Sequence, residues 1–283
     1  MTRRSVLVTG ASSGIGRECA LHLAARGFTV FAGIRRPEDG KRLVDAALGH
    51  VVPVALDVTD EESLDEATKR VGELIEEDSS FSIVNNAGIT VAGPLELIGA
   101  SAMRRQLDVN VIGTVAVIER FLPLVRRRTG RIVIMGSLFG RIALPFVSPY
   151  AAAKFALEAI TDSLSLELRQ WGIRVVLLEP GSIATPLWKK TKEMVLESVT
   201  AHPRQGLDLY RTALESFERL TDSYAARGIS PSRVAAVVER ALVARRPRTR
   251  YLVGRDAKVF GRVAPLLPDR LRHWIVARLT LNK

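Results

Sequence analysis

Cysteine is almost absent from this sequence of 283 residues, in which Cys19 stands alone. An internal disulfide is therefore excluded, which fits a reducing compartment, and we expect Cys19 to be a small core residue. No apolar run reaches the roughly 18 residues of a membrane-spanning helix. We also find no cleavable leader, because the first predicted strand begins at Ser5. These absences predict a cytoplasmic globular protein.

Acidic residues are scarce at the C-terminal end. Residues 245–283 contain eleven Lys or Arg and two Asp, so this segment carries +9 of the chain's net charge of +11. The rest of the chain is nearly neutral. The whole sequence has 47% apolar and 25% charged residues, which is ordinary for a folded protein. No recognition motif accompanies the basic segment, so we predict no nucleic-acid binding, and we predict no metal site.

Predicted strands and helices alternate along the chain. Apolar strands are expected at 5–9, 29–33, 51–56, 83–84, 132–135, 173–178 and 251–253. Helices include one opened by a capping box at Thr59, a long one over 100–127, and one with Pro231 at its first position. The alternation predicts an α/β fold with a doubly wound parallel sheet. We divide the chain into a single domain at 1–262, with a lid insertion at 186–228, and a basic tail at 263–283.

The first strand is followed by the glycine-rich stretch Gly10-Ala-Ser-Ser-Gly14-Ile-Gly16 and then by a helical pattern. Glycines let the backbone approach a pyrophosphate, and a helix N-terminus offers free N–H groups. The second strand ends in Ile34-Arg35-Arg36 without an acid. Because a cation suits the 2′-phosphate of NADP, we predict NADP, with NAD as the alternative. Arg35 is the better ligand and Arg36 the second, unless both are solvated loop arginines.

Tyr150 and Lys154 are four residues apart, on one face of a predicted helix, and Ser137 follows the strand at 132–135. A free tyrosine, with a pKa of about 10, is a poor base at neutral pH. A lysine cation one turn away favours the phenolate and is expected to lower that pKa. The alternative is a surface tyrosine and a solvated lysine. The glycine-rich stretch, Arg35 and Ser137 each follow the carboxyl end of a predicted strand, where parallel sheets bind ligands.

Taken together, the sequence resembles the short-chain dehydrogenase/reductase superfamily over nearly its whole length. The resemblance is carried by Thr9-Gly-Ala-Ser-Ser-Gly-Ile-Gly16, Asp57-Val58, Asn85-Asn-Ala-Gly88, Asn110, Ser137, Tyr150-x-x-x-Lys154 and Pro180-Gly181. It implies a Rossmann fold and the catalytic residues Asn110, Ser137, Tyr150 and Lys154. The cofactor residues expected from it and from the motifs above are Gly10, Ser12, Ser13, Gly14, Ile15, Gly16, Arg35, Arg36, Asp57, Val58, Asn86, Ala87, Gly88, Tyr150, Lys154, Pro180, Gly181, Ile183 and Thr185.

Within that superfamily the chain is similar to the retinol, 17β-hydroxysteroid and 3-hydroxybutyrate dehydrogenase group, through Gly140-Arg-Ile-Ala-Leu-Pro and the region 248–258. It departs from the group at Ile34-Arg35, where many members are acidic or neutral and use NAD. The resemblance implies an oxidoreductase for a hydrophobic alcohol, ketone or aldehyde. A β-ketoacyl carrier-protein reductase or a 3-hydroxy acid dehydrogenase is the alternative. A catalytically silent regulator is disfavoured, because Ser137, Tyr150 and Lys154 are all present.

Apolar residues surround the predicted site, which favours a hydrophobic substrate, unless these residues only pack in the core. The predicted substrate contacts are Leu138, Phe139, Leu144, Phe146, Val147, Trp188 and Met194. In the tail, a helix over 268–280 places Leu271, Trp274, Ile275 and Leu279 on one face among arginines. That pattern is typical of peripheral membrane contact, and packing on the body or on another subunit explains it equally. We expect a homo-oligomer, a dimer or tetramer.

Overall fold

A seven-stranded parallel sheet forms the centre of the computed structural model, which describes residues 3–185, 187–201 and 206–281. The strands are β1 Arg4–Val8, β2 Phe28–Ile34, β3 Val51–Ala55, β4 Ser80–Asn85, β5 Arg131–Met135, β6 Arg174–Pro180 and β7 Arg250–Val253. Their spatial order is β3-β2-β1-β4-β5-β6-β7. The chain thus starts at the middle of the sheet, builds outward to β3, and returns to β4 on the other side of β1. This confirms the predicted doubly wound sheet.

Helices cover both faces of the sheet and its C-terminal edge. They are α1 Gly14–Ala25, α2 Pro37–Ala46, α3 Glu61–Leu74, α4 Leu95–Leu107, α5 Gly113–Arg127, α6 Ser148–Glu167, α7 Leu187–Thr200, α8 Gly206–Arg227, α9 Pro231–Val243, α10 Arg255–Val263 and α11 Asp269–Thr280. Side chains alternate along each strand. In β1, Val6 and Val8 pack in the core with α1 and α9, whereas Leu7 packs in the core with α3, α5 and α6. Both faces of the sheet are buried by apolar side chains, as is typical of parallel sheets.

Two local predictions were wrong. The long helix over 100–127 is interrupted, because a π-helical turn at Asp108–Ile112 separates α4 from α5. The N-cap of α3 is Asp60, whose side chain accepts a hydrogen bond from the N–H of Ser63 at 3.0 Å. Thr59 instead donates its hydroxyl to Asp57 at 2.7 Å. A carboxylate caps a helix as well as a threonine hydroxyl does. The N-cap therefore lies one residue later than predicted.

The predicted lid consists of helices α7 and α8, and Pro186 and residues 202–205 lie outside the described residues. Val195 and Val199 of α7 and Leu214 and Phe217 of α8 are buried in a third apolar cluster, apart from the two sheet cores. This cluster reaches the loop between β5 and α6. The lid therefore packs on the segment that carries the predicted catalytic residues.

The C-terminal end of the chain is helical. The expected boundary between body and tail, after residue 262, falls inside α10. The last helix, α11, packs against α8 and buries Thr280, and Val276 joins the third apolar cluster. Among the described residues, no helix combines the length and the hydropathy that a membrane crossing requires.

Candidate active site

Tyr150 and Lys154 occupy the first two turns of α6. Pro149 is the second residue of that helix, where its missing N–H needs no partner. The start of the helix lies close to the end of β5. The Lys154 ammonium donates to the carbonyl of Met135, the last residue of β5, at 2.6 Å. Its nitrogen lies 5.4 Å from the centroid of the Tyr150 ring. The spacing of four residues therefore places the two side chains together, as expected.

Burial dominates the electrostatics of this pair. It raises the pKa of Tyr150 to about 12, against a hydrogen bond with Ser137 that favours the phenolate. It also lowers the pKa of Lys154 to about 8, because the residue is only 7% exposed. The expected lowering of the tyrosine pKa by the lysine cation is not seen. The ammonium lies against the ring and donates to a backbone carbonyl, and burial is the largest influence on the pKa of Tyr150.

Ser137 lies two residues beyond β5 and is 9% exposed. Its hydroxyl oxygen accepts a hydrogen bond from the N–H of Phe139 at 3.1 Å, which caps a short 3₁₀ turn at Leu138–Gly140. Because that contact uses a lone pair of the oxygen, the hydroxyl proton remains available to the Tyr150 oxygen or to a substrate. The serine is thus fixed in place with a free donor.

A buried charge cluster holds the loop after Ser137, and sequence reasoning missed it. Arg141, one residue beyond the 3₁₀ turn, donates through two nitrogens to the fully buried carboxylate of Glu179 in β6. It also donates to the carbonyl of Gly261 at 3.2 Å. Burial and the neighbouring Glu179 raise the pKa of Glu158 to about 7, while Arg250 donates to Glu158 at 3.0 Å. The only signal was a charged residue inside an apolar strand.

Asn110 lies in the π-helical turn and is fully buried. Its side chain accepts from the N–H of Ile89 at 2.9 Å and donates to the Ile89 carbonyl at 3.0 Å. Gln106, one turn earlier, accepts from the N–H of Val91 at 2.6 Å and also donates to Ile89. The two amides fix the chain after β4. Gln106 was not predicted, although it is a polar residue four positions before Asn110.

The glycine loop after β1 has the geometry of a phosphate cradle. Gly10 and Gly14 have φ values of +64° and +55°, which favour glycine. A Cβ on Gly16 would lie 2.2 Å from the carbonyl oxygen of Gly10, so only glycine allows this close approach. Ser13 precedes α1 without a side-chain cap, and no acid lies in the first turn. The exposed helix N-terminus therefore fits the pyrophosphate of a dinucleotide.

Residues after β4 brace this loop. The hydroxyl oxygen of Thr9 accepts from the N–H groups of Asn86 and Ala87 at 3.0 and 2.9 Å. The Asn86 side chain donates to the carbonyls of Thr9 and Gly10. The sequence predicted no separate role for Thr9 within the glycine motif. In the structure its hydroxyl joins the glycine loop to the segment after β4. Of the other predicted cofactor residues here, Ser12, Ser13 and Gly88 are exposed, and Ile15 packs on the core.

Arg35 follows β2 and is largely exposed. Its guanidinium lies 4.0 Å from the carboxylate of Asp57, at the end of β3. Burial alone would raise the pKa of Asp57, but hydrogen bonds from Thr59 and the charge of Arg35 hold it below its usual value. Arg36 instead pairs with Asp39 at 3.2 Å. Arg35 is thus the freer guanidinium. The Val58 side chain is buried against Gly113, so only its backbone can face an adenine.

The turn after β6 faces the glycine loop. Asp256 of α10 accepts from the N–H of Ser182 at 2.6 Å, and a Cβ on Gly181 would lie 2.2 Å from this carboxylate. This explains the glycine of Pro180-Gly181. Ile183 forms a β-bridge with Ile229. Thr185 lies beyond it, and a Cβ on Gly14 would be 3.7 Å from its methyl group. Predicted cofactor residues that follow β1 and β6 therefore lie close together.

Aromatic side chains connect Tyr150 to the lid. The Phe139 ring makes edge-on contacts with Tyr150 and Trp188, at centroid distances of 6.1 and 6.3 Å. Trp188 packs on Tyr224 at 5.0 Å. Five of the seven predicted substrate residues lie in this third apolar cluster, which are Phe139, Leu144, Phe146, Val147 and Trp188.

Two predicted substrate residues lie elsewhere. Leu138 is buried outside the cluster. Met194 is half-buried and also outside it, because the phase of α7 turns Thr191, Val195 and Val199 inward. Phe146 has a positive φ of +66°, which is strained for a residue with a side chain. Its ring packs on Phe217 at 5.4 Å, so aromatic contacts with the lid hold this conformation.

Comparison with known proteins identifies the family of this chain. The family model for short chain dehydrogenase matches residues 4–196. A 3-amino-tetrahydro-pyrrolizinone reductase of Xenorhabdus hominickii is 35% identical over 94% of this chain and 92% of its own length. The 17-beta-hydroxysteroid dehydrogenase type 1 of Homo sapiens is 36% identical over 96% of this chain and 82% of its own length. A solved short chain dehydrogenase from Burkholderia cenocepacia in complex with NADP is 26% identical, covers 98% of this chain and 97% of its own, and has a TM-score of 0.73.

The family model covers the first six strands, the glycine loop and the α6 pair, and the parallel order of the strands brings the motifs to one edge. The glycine cradle also fits a dinucleotide on its own geometry. The chain belongs to the short-chain dehydrogenase/reductase family and is an NAD(P)-dependent oxidoreductase.

Proposed function

We propose that the protein reduces a bulky hydrophobic ketone or aldehyde with NADPH. The observation that carries this proposal is the apolar, aromatic cluster that contacts Tyr150 and continues into the lid. Such a surface offers little hydration to a charged substrate and favours an extended apolar one. The relative that acts as a 17-beta-hydroxysteroid dehydrogenase supports this substrate class.

We propose the reductive direction, for which the protonation of the pair is suited. With a pKa of about 12, Tyr150 is neutral at pH 7 and can give its hydroxyl proton to the carbonyl oxygen of the substrate. Lys154, with a pKa of about 8, is mostly charged at pH 7 and stabilises the phenolate left behind. Ser137 donates its free hydroxyl to the same substrate oxygen. When bound, the nicotinamide supplies the hydride to the carbonyl carbon.

The remaining predicted residues have proposed supporting roles. Asn110 holds the chain after β4 beside α6, and we propose that it also positions a water that reprotonates the site through Lys154. The glycine loop takes the pyrophosphate, Asp57 and the Val58 backbone take the adenine, and Ile183 and Thr185 take the carboxamide. Thr185 is supported in this role by its position opposite Gly14.

Arg35 is our proposed ligand for the 2′-phosphate of NADPH. Among the residues that the structure describes, only Asp57, at 4.0 Å, offsets its exposed guanidinium, whereas Arg36 is paired with Asp39. A hydrogen bond between charged groups contributes about 1.5–3 kcal/mol, so Arg35→Ala is expected to raise the KM for NADPH about tenfold to a hundredfold and to leave that for NADH unchanged. Arg36→Ala is the matched control. A wild-type preference for NADH, or equal effects on both cofactors, would refute the assignment.

A substrate panel tests the proposed function itself. Steroid ketones, retinoid aldehydes and long-chain aldehydes are compared, by NADPH oxidation, with small 3-oxo acids and with a β-ketoacyl thioester. We expect kcat/KM to be highest for the bulky apolar carbonyl compounds. A preference for the small charged acids would contradict the proposed hydrophobic substrate class. A preference for the thioester would favour the carrier-protein reductase alternative.

We also propose that the enzyme is a homo-oligomer. Around α5 and α6, Ile112, Val115, Phe155 and Leu166 are exposed apolar side chains, and apolar surface of this kind is commonly covered in assemblies. Light scattering after size exclusion measures the mass directly. A mass of 31.0 kDa at all concentrations would contradict this proposal.

A further inference from the structure

The last two helices turn apolar side chains outward. In α10, Ala257 and Gly261 face the body and are buried. The opposite side of α10, the turn after it and α11 carry large apolar residues that are exposed, namely Val259, Val263, Leu266, Leu271, Trp274 and Leu279. Trp274 is 60% exposed and Leu266 is 82% exposed. In α11, Val276 and Thr280 face the body. The apolar side chains of Leu271, Trp274 and Leu279 are therefore not used for packing within the chain.

Basic side chains alternate with these apolar residues along the sequence. Five are exposed, namely Arg255, Lys258, Arg262, Arg270 and Arg278. Within the described part of the chain none of the five has a carboxylate partner. Arg272 is the exception in α11, because it pairs with Asp269. We call these six apolar and five basic residues the C-terminal face.

We propose that the C-terminal face docks on the surface of an anionic lipid bilayer. Exposed Trp and Leu side chains suit the boundary between headgroups and acyl chains, and arginines at their sides suit anionic headgroups. A second copy of the chain is a poor occupant, because a two-fold interface would set this basic face against itself. A nucleic acid would use the cations but would leave the aliphatic side chains without a partner.

The position of α11 gives the docking a purpose. This helix packs on α8, and Val276 belongs to the apolar cluster that reaches Trp188 and Tyr150. A bilayer under α11 would therefore lie beside the lid, where an apolar substrate could enter without crossing water. This purpose rests on the proposed function, whereas lipid binding itself does not, so the two can fail separately.

Sedimentation with vesicles tests the proposal on the full chain. We expect binding to phosphatidylserine/phosphatidylcholine vesicles, weaker binding at high salt, and little binding to phosphatidylcholine alone. In vesicles with brominated acyl chains, Trp274 fluorescence should be quenched, and a Trp274→Phe variant should lose that quenching although Trp171 and Trp188 remain. Lack of binding at low salt, or quenching that survives Trp274→Phe, would overturn the proposal.

Matched variants separate this face from charge and hydrophobicity in general. Arg270→Gln with Arg278→Gln should lower the affinity for anionic vesicles about thirtyfold, since each basic residue contributes a factor of about five. Arg104→Gln with Arg105→Gln, which removes two exposed charges from α4, should leave it unchanged. Leu271→Ser should weaken binding, and Leu48→Ser, at a residue 88% exposed after α2, should not.

Circular dichroism and turnover of a water-soluble substrate should be the same in all variants, because none of these residues touches the site. Two outcomes would assign the face to another occupant and overturn the proposal. One is a dimer that Leu271→Ser dissociates, and the other is retention of RNA in a gel shift with no binding to vesicles.

Discussion

Replacing Glu179 by Gln keeps the shape of a fully buried side chain and removes its charge. Arg141 then loses the carboxylate that accepts hydrogen bonds from two of its nitrogens. Removing one partner of a buried ion pair costs about 3–5 kcal/mol, because the other charge stays buried and unpaired. The Arg141 side chain is 23% exposed, so water can compensate in part, and we expect about 3 kcal/mol. That is a large share of the roughly 5–15 kcal/mol by which domains are stable.

The same variant should change how stability depends on pH. In the wild type the pKa of Glu158 is raised, first by burial and then by Glu179, from 4.5 to about 7. A raised carboxyl pKa means that the folded state keeps a proton that the unfolded state has lost. This contribution to stability is complete below pH 4.5 and is lost as the pH rises through 7. Glu179→Gln removes the second cause, so the decline between these pH values should become shallower.

Urea unfolding at pH 5.5 and 7.5, followed by far-UV circular dichroism, measures both effects. With a slope of about 3 kcal/mol per molar urea, the midpoint at pH 7.5 should fall by about 1 M. Glu193→Gln, at an exposed carboxylate on α7, is the control and should change stability by less than about 0.5 kcal/mol. A shift no larger than the control's, together with an unchanged pH dependence, would show that the cluster does not hold the Ser137 loop.

Two further predictions concern the site. The kcat for reduction should fall as the pH rises through about 8, because Lys154 loses the proton that stabilises the phenolate, and a profile flat to well above that pH would contradict this role. Gly16→Ala should abolish tight NADPH binding in a fluorescence titration, because the new Cβ would lie 2.2 Å from a loop carbonyl oxygen, whereas Gly72→Ala, whose Cβ would meet only a methyl at 3.9 Å, should bind normally.

Much of the architecture could be predicted because it is encoded locally. Apolar runs locate the strands, and the spacing of Tyr150 and Lys154 fixes their common helix face. The parallel sheet then brings motifs far apart in sequence to one edge. Gly10 and Gly16 of the first turn are required by close backbone contacts, and Gly14 is favoured by its positive φ. For these features, local chemistry and tertiary structure agree.

What could not be predicted depends on tertiary contacts. The pairing of Arg141 with Glu179 joins two segments through a salt bridge that no local pattern indicates. The π-helical turn at Asn110 changes the phase of a helix whose sequence looks continuous. The rotation of α7 about its axis, which turns Val195 inward in place of Met194, is set by packing against α8. The pKa of Tyr150 depends on burial, which spacing alone does not reveal.

Turnover by a Tyr150→Phe variant is the most direct test of the account. This change keeps the ring that packs on Phe139 and removes only the ionisable oxygen. With NADPH and the best hydrophobic ketone of the panel, kcat should fall by at least about a hundredfold, with the affinity for NADPH retained. A variant that keeps more than about a tenth of the wild-type kcat would contradict the assignment of Tyr150 as the proton donor.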